Sequence, residues 1–201
     1  MIAPDEQVLQ FKITLNNITP QIWRRIQVLR TYTFWDLHVA IQDSMGWLDY
    51  HLHEFKINDP LIGDMIGIGI PDPDMMSEND MLPGWELDIA AYFSLNNPEA
   101  EYIYDFGDGW RHTVEFEKVV SRDRKIIYPI CVGGKRACPP EDCGGNWGYE
   151  NMLRVLSDPT DDEHADMLAW VGGEYDPEYF NSQEVKFDDP RQRWDIAFRQ
   201  G

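Results

Sequence analysis

The sequence predicts an α+β fold: a mainly antiparallel sheet with a central hairpin, packed against helices in one compact domain. Three observations support this. Apolar and polar residues alternate over Val8–Leu15 and Ile22–Val28, the pattern of half-buried strands. A longer alternation over Glu101–Val120, interrupted by a Gly-Asp-Gly turn, predicts the hairpin. Apolar residues at helical spacing over Phe34–Met45 predict a helix that covers the sheet.

The first two strands are predicted to form an antiparallel pair, because only a short turn separates them. Arg24 shares the parity of the apolar residues in the second strand, so we expect it at a sheet edge or against a carboxylate. Thr33 and Asp36 have the spacing of a capping box at the start of the helix, and Gly46 suits its C-terminal end.

A short strand over Glu54–Ile57 follows the helix. The segment Asp59–Gly84 is then rich in Pro and turn residues, with an Ile-Gly alternation at Ile66–Ile70, and it is predicted to be a long irregular excursion, a surface loop or lid.

The rest of the chain is predicted to add one more strand and several helices. In chain order these elements are a short helix over Leu87–Leu95, a strand over Ile126–Cys131, a loop over Gly133–Gly148 and helices over Tyr149–Leu156, Asp161–Trp170 and Asp189–Phe198. Thr160 is the predicted N-cap of the second of these last three helices, and Pro190 is the first residue of the third. No repeat or long linker divides the chain, so residues 1–201 are expected to form a single domain.

Composition restricts the partners and the compartment. The 201 residues include 36 Asp and Glu but only 17 Lys and Arg, a net charge of −19 that disfavours nucleic acid and anionic membrane as partners. No apolar run reaches the roughly 18 residues of a membrane helix, and three Cys do not make a disulfide framework, so a cytoplasmic protein is expected. Residues 118–136 form a local basic patch of six cations and one carboxylate. A protein partner is compatible with this composition.

The densest polar segment is Tyr104–His112. If Asp108 and Gly109 form a two-residue turn, Asp105 lies directly opposite His112, where the carboxylate would orient the imidazole or share a metal with it. A three-residue loop would shift the register and break this pairing. The candidate ligand-binding residues of this region and its neighbouring loop are Asp105, Asp108, Trp110, His112 and Glu141.

A second polar segment, Cys138–Gly145, contains two Cys separated by four residues, a spacing found among zinc ligands. The histidines at 51 and 53 share one face if that stretch is extended. The candidate ligands for zinc or another divalent metal are therefore His51, His53, His112, Cys138 and Cys143. In the alternative interpretation the thiols simply pack in a rigid Pro- and Gly-rich loop.

A series of motifs over roughly Val8–Phe180 resembles the plasmid pRiA4b ORF-three-like family. The motifs are Ile22-Trp23-Arg24-Arg25, Thr33-Phe34, Leu37-His38, Ala40-Ile41-Gln42, Met45-Gly46-Trp47, His51 through Phe55, Tyr104 through His112, Cys138 through Gly145 and Gly148-Tyr149. The resemblance implies a compact α+β fold and a soluble prokaryotic protein. It brings no established activity. Some members are carried on plasmids and insertion elements and are labelled resolvase-like accessory proteins, but this sequence has no recombinase constellation.

The expected function is therefore that of a binding or accessory protein whose ligand or metal site lies between residues 104–112 and 138–145. One alternative is a metal-dependent hydrolase or nuclease in which Glu141 or Asp108 acts as the base. Another is a module for protein interactions that is stabilised by structural zinc. A catalytic metal site would keep an open coordination position, whereas a structural zinc site would be closed by four ligands.

Overall fold

In a computed structural model, which describes residues 3, 6–71 and 81–199, eight strands form one sheet and five helices accompany it. In chain order the elements are β1 (Gln7–Leu15), β2 (Ile22–Leu29), α1 (Phe34–Met45), β3 (His53–Asn58), β4 (Met65–Gly69), β5 (Leu82–Pro83), α2 (Ile89–Tyr92), β6 (Glu99–Tyr104), β7 (Trp110–Ser121), β8 (Ile130–Lys135), α3 (Gly145–Ser157), α4 (His164–Trp170) and α5 (Pro190–Arg199). The strands lie in the order β5-β4-β3-β6-β7-β1-β2-β8. Only β4 and β5 pair in parallel, so the predicted mainly antiparallel α+β fold is confirmed.

The core lies between the central strands and α1. Inward residues of β1 such as Phe11 and Ile13 are fully buried, as are Phe34 and Ile41 on the facing side of α1. The helix begins as predicted: Asp36 N donates to Thr33 Oγ1 at 3.2 Å, and Thr33 N donates to Asp36 Oδ2 at 2.9 Å. The capping box therefore satisfies two helix-terminal donors and holds the N-terminus of α1 in place.

Arg24 is at neither of its predicted locations. Its strand, β2, lies between β1 and β8, and the guanidinium contacts carbonyls and an aromatic ring instead of a carboxylate. Its Nε donates to Ser44 O at 2.8 Å, and it stacks over the ring of Phe180 at 3.9 Å. Ser44 lies in the last turn of α1, which contains no basic residue of its own. Arg24 therefore supplies the cation that favours the negative end of that helix dipole.

Two segments predicted as loops contain strands. The excursion Asp59–Gly84 contributes β4 and β5 to one edge of the sheet, while residues 72–80 lie outside the described part of the chain. The last strand, β8, begins four residues later than the predicted Ile126–Cys131 and continues into the Gly133–Gly148 segment. Glycine is needed at position 134 of this strand, because the ring of Phe180 packs on it, 2.3 Å from where a Cβ would lie.

Helices are present where the sequence predicts them in the last third of the chain, but two of them begin at other residues. The predicted Tyr149–Leu156 helix starts earlier, at Gly145, and the predicted Asp161–Trp170 helix starts later, at His164. Thr160 does not cap α4, because its N–H and hydroxyl both donate to Asp158 Oδ1 in the preceding turn. The terminal helix begins at Pro190, as predicted. Among the described residues, the helices are too short or too polar to cross a bilayer.

Candidate functional site

Three loops meet at one end of the sheet. β3 starts, β6 ends, β7 starts and β8 ends at this same end, since β3 and β7 each pair antiparallel with β6 and β8 runs antiparallel to β2. The loops are residues 46–52 between α1 and β3, residues 105–109 between β6 and β7, and residues 136–144 between β8 and α3. The topology therefore collects segments that are far apart in the sequence.

The hairpin loop differs from the predicted two-residue turn. Tyr104 pairs with Trp110, and His112 pairs with Tyr102, so five residues form the connection and Asp105 does not face His112. Asp105 instead adopts a left-handed conformation with φ of 54°. Its carbonyl accepts from Gly109 N at 2.6 Å, and its Oδ1 accepts from Gly107 N at 2.9 Å. These bonds close the loop and leave Oδ2 directed elsewhere.

The 136–144 loop is attached to both of its neighbours through carboxylates. Glu141 Oε1 accepts from the hydroxyl of Tyr104 at 2.9 Å and from Leu48 N at 2.7 Å. Asp108 Oδ2 accepts from Gly144 N at 3.1 Å. The predicted proximity of residues 104–112 and 138–145 is therefore present, and residues 46–52 form the third side.

A three-residue ligand group lies where the loops converge. His51 Nε2 is 2.9 Å from Asp142 Oδ1 and 3.7 Å from Asp105 Oδ2. The three potential ligand atoms all lie within 4.8 Å of one another. Within residues 3, 6–71 and 81–199, no other group of three His, Cys, Asp or Glu side chains is this close together. Asp105 is buried, His51 is half-buried and Asp142 is exposed, so the group opens to solvent on one side.

Two of these residues, His51 and Asp105, are among those predicted from the sequence, but Asp142 is not. Nothing in the local pattern separates Asp142 from its neighbour Glu141. The distinguishing feature is conformational: Asp142 has φ of 57°, and Asp105 and Asp49 have similar positive values. Left-handed conformations are uncommon for residues other than Gly and concentrate at functional sites.

The other two predicted histidines are buried away from the group. His53 stacks on His38 with ring centroids 3.4 Å apart. His112 is fully buried, with Nδ1 3.3 Å from Tyr102 O and the ring edge-on to Trp47. Both are core residues that pack in the interior. Trp110, predicted as a ligand-binding residue, is buried as well.

The predicted thiol ligands do not join a metal group either. Cys138 and Cys143 are free thiols, and neither belongs to a three-ligand cluster in the part of the chain that the structure describes. Burial raises the pKa of Cys138 and of Cys143 to about 12, so both remain protonated thiols at neutral pH. They pack in the rigid loop, which agrees with the alternative interpretation of this segment.

Two of the six cations in the predicted basic patch form ion pairs within the described protein. Arg124 pairs with Glu6, and Arg136 is buried with its Nε 2.6 Å from Glu178 Oε1. These two cations therefore have carboxylate partners within the protein and stabilise the fold around β8 and the N-terminus of β1.

Acid should destabilise the protein through His112. Burial lowers the pKa of this residue to about 4, below the ~6.5 of an unfolded histidine. The folded state therefore keeps His112 neutral. Its contribution to the free energy of unfolding is complete above pH ~6.5 and is lost as the pH falls towards 4. We expect a loss of about 3 kcal/mol from this residue over that window.

Denaturant unfolding at a series of pH values checks this. Between these pH limits His112→Phe should take up about one proton fewer on unfolding than the parent, so its free energy of unfolding should depend less on pH. Phenylalanine fills the same space without titrating. Identical pH dependence in the variant and the parent would contradict the assignment.

The rim of the site is apolar. Leu48, Tyr50, Leu52 and Phe106 have more than half of their surface exposed, and Trp147 at the start of α3 is 78% exposed. Large apolar side chains grouped around a polar centre are typical of surfaces that bind something.

Comparison with known proteins identifies the family through one family model, and none of the matches names an activity. The family model described as plasmid pRiA4b ORF-3-like protein matches residues 7–184, which includes all three residues of the ligand group. The uncharacterized protein y4hQ of Sinorhizobium fredii (strain NBRC 101917 / NGR234) is 32% identical over 190 residues, 93% of this chain and 94% of that protein.

Among solved structures, the crystal structure of the protein of unknown function MM3350 from Methanosarcina mazei Go1 has a TM-score of 0.83 and 47% sequence identity. It covers 90% of this chain and 99% of that chain. The family match extends over most of the chain, and the predicted resemblance is confirmed. The chain belongs to the plasmid pRiA4b ORF-3-like family.

Proposed function

We propose that this protein binds a divalent transition-metal ion through His51, Asp105 and Asp142. One observation carries the proposal: three potential ligand atoms from three separate loops lie within 4.8 Å of one another. An imidazole and two carboxylates form a donor set that suits Zn²⁺, Mn²⁺ or Fe²⁺. No lysine or arginine is ion-paired with either carboxylate in the described chain, so a metal ion would supply the compensating positive charge.

The preorganisation of the ligands supports this. Asp105 Oδ1 is held by Gly107 N, which leaves Oδ2 as the atom nearer His51. Hydrogen bonds that orient a ligand in this way raise metal affinity, because less freedom is lost on binding. The contact between His51 Nε2 and Asp142 Oδ1 places the imidazole facing the other ligands, and a bound metal ion would replace this hydrogen bond.

Three protein ligands leave at least one coordination position open, which is typical of metal sites that bind water or a further ligand. The exposed side of Asp142 and the apolar rim support a role in which the metal contacts an outside molecule. This favours a binding or accessory protein over one stabilised by structural zinc.

A metal-dependent hydrolase is the second candidate. The observation that favours it is Glu141, a carboxylate outside the ligand group that is held beside the site by Tyr104 and Leu48. Once a metal-bound water was present, such a carboxylate would be in the neighbourhood needed for a general base.

Elemental analysis and calorimetric titration test the proposal. Untagged protein purified without chelator should bind about one Zn²⁺ or Mn²⁺ per chain, and binding should weaken at acidic pH, because metal ligands must be deprotonated. Titration of the chelator-treated protein that shows no saturable binding of either ion would overturn the proposal. Hydrolysis of activated phosphate esters by the metal-loaded protein, and not by the metal-free protein, would favour the second candidate.

A further inference from the structure

A cavity of about 740 Å³ lies between α3 and α4, beside the proposed metal site. It shares Asp142 with that site, but most of its walls come from the two helices. Its volume is in the range of pockets that hold small organic groups. Neither the proposed metal site nor the family match accounts for it.

The two helix faces that line the cavity follow from residue spacing. Trp147 and Asn151 are four residues apart on α3 and therefore share a face. On the other side, Glu163, Asp166 and Trp170 recur at intervals of three and four residues, which places them on one face as well. The more buried floor is formed by Met152 and Met167.

Two tryptophans flank the cavity and remain exposed. Trp147 is 78% exposed and Trp170 is 50% exposed, although both have neighbouring apolar surface available. Indoles are seldom left in water to this degree without a partner, and their π-faces attract cations.

The charges of the cavity are all negative. Asp142, Glu163 and Asp166 line it, and no lysine or arginine does so among the described residues. The side chains of Glu163 and Asp166 make no ion pair in this part of the protein, unlike Asp161, which is paired with Arg154 at 2.7 Å. Two unneutralised carboxylates beside two exposed indoles form the environment that recognises an organic cation.

We propose that this α3–α4 cavity binds a guanidinium or alkylammonium group. The indoles of Trp147 and Trp170 would cover the apolar faces of the cation, and Glu163 and Asp166 would accept its N–H groups or balance its charge. A metal ion is not the favoured occupant, since these two carboxylates belong to no three-ligand group in the described chain. The net charge of −19 would also attract cationic ligands at long range.

The cation has two sources: a free small molecule or the arginine or lysine side chain of a basic partner. Titrations with tetramethylammonium chloride, L-arginine and a short fluorescein-labelled arginine-rich peptide distinguish them. The indole N–H signals of Trp147 and Trp170 in a ¹H–¹⁵N spectrum report binding at the cavity and are assigned with Trp147→Phe and Trp170→Phe.

We expect at least one probe to shift both indole signals. Trp147→Ala should weaken binding at least about fivefold, and the double substitution Glu163→Gln with Asp166→Asn should do the same. The matched control is Glu150→Gln with Glu174→Gln, which removes the same charge from exposed positions that do not line the cavity. The control should retain binding within about twofold, so that the effect is assigned to the cavity and not to net charge.

Binding of the small cations as well as the peptide would support a site for free organic cations, and binding of the peptide alone would support recognition of a basic partner. Failure of all three probes to shift either indole signal would overturn the proposal. Equal loss of affinity in the control and cavity variants would overturn it as well. All titrations are repeated with Asp105→Asn, which removes a proposed metal ligand but no residue of the cavity, so the failure of one proposal is distinguishable from that of the other.

Discussion

Asp105→Asn should lower the affinity for Zn²⁺ by at least about 100-fold, since changes one shell beyond the ligands already cost 10- to 100-fold. The substitution removes one negative charge and one strong donor while conserving shape. Asparagine tolerates the left-handed conformation that Asp105 adopts, and its amide oxygen still accepts from Gly107 N. The fold should therefore survive, and calorimetric titration of the folded variant measures the loss directly.

Asp108→Asn is the matched control. Asp108 is in the same loop and also bonds a backbone N–H, but it lies outside the ligand group. We expect its affinity to stay within about threefold of the parent, because only a charge near the site changes. Equal affinities for Asp105→Asn and the parent would contradict the assignment of Asp105 as a ligand. A loss of similar size in both variants would indicate a general electrostatic effect instead.

Gly148→Ala should destabilise the protein by at least about 3 kcal/mol. A Cβ at this position would lie 1.8 Å from the carbonyl oxygen of Cys143, a backbone atom in the loop that leads into α3. The loop cannot yield easily, because Glu141 bonds Tyr104 and Gly144 N bonds Asp108. Urea unfolding monitored by circular dichroism gives the change in free energy.

The expected loss of stability has the opposite sign from the effect that helix propensity predicts, so the measurement distinguishes the two. Helix propensity alone would predict that alanine at an interior helix position stabilises by about 1 kcal/mol. Gly133→Ala is the control, because its Cβ would meet only the ring of Trp23 at ordinary contact distances of 3.6 and 3.8 Å. That variant should be as stable as the parent or more stable by up to about 1 kcal/mol. An unchanged or higher free energy of unfolding for Gly148→Ala would show that the loop and α3 do not approach each other as described.

The elements that the sequence predicted well are those whose signals are local. The capping box of Thr33 and Asp36 involves residues three positions apart, and the alternation over Val8–Leu15 reports one buried face. Such patterns need only near neighbours, so helix starts and central strands can be derived without the tertiary structure. Arg24 shows the limit: its parity indicated burial, but its partner, the C-terminal end of α1, comes from another element.

The hairpin depends both on local signals in the sequence and on a contact with another part of the chain. Its strands and Gly-rich turn were predicted, but the register depends on whether Asp105 continues the strand or turns into the left-handed conformation. The N–H of Asp105 donates to Leu52 O at 3.0 Å, a contact made by a different loop. That contact helps to hold the five-residue connection and removes the predicted pairing of Asp105 with His112. The types of the side chains in the hairpin carry no information about this contact between Asp105 and Leu52.

By itself, the sequence determined the α+β class, the central strands, the first and last helices, the family, and the neighbourhood in which the candidate site lies. Only the tertiary structure decided which polar side chains meet there. His51, Asp105 and Asp142 come from three loops, and the antiparallel order of β3, β6, β7 and β8 brings those loops to one end of the sheet. The same packing buries His53 and His112, which the sequence alone presents as equally good ligands. The physical reason is that residue type records what a side chain can do, whereas long-range strand pairing determines which other side chains it can reach.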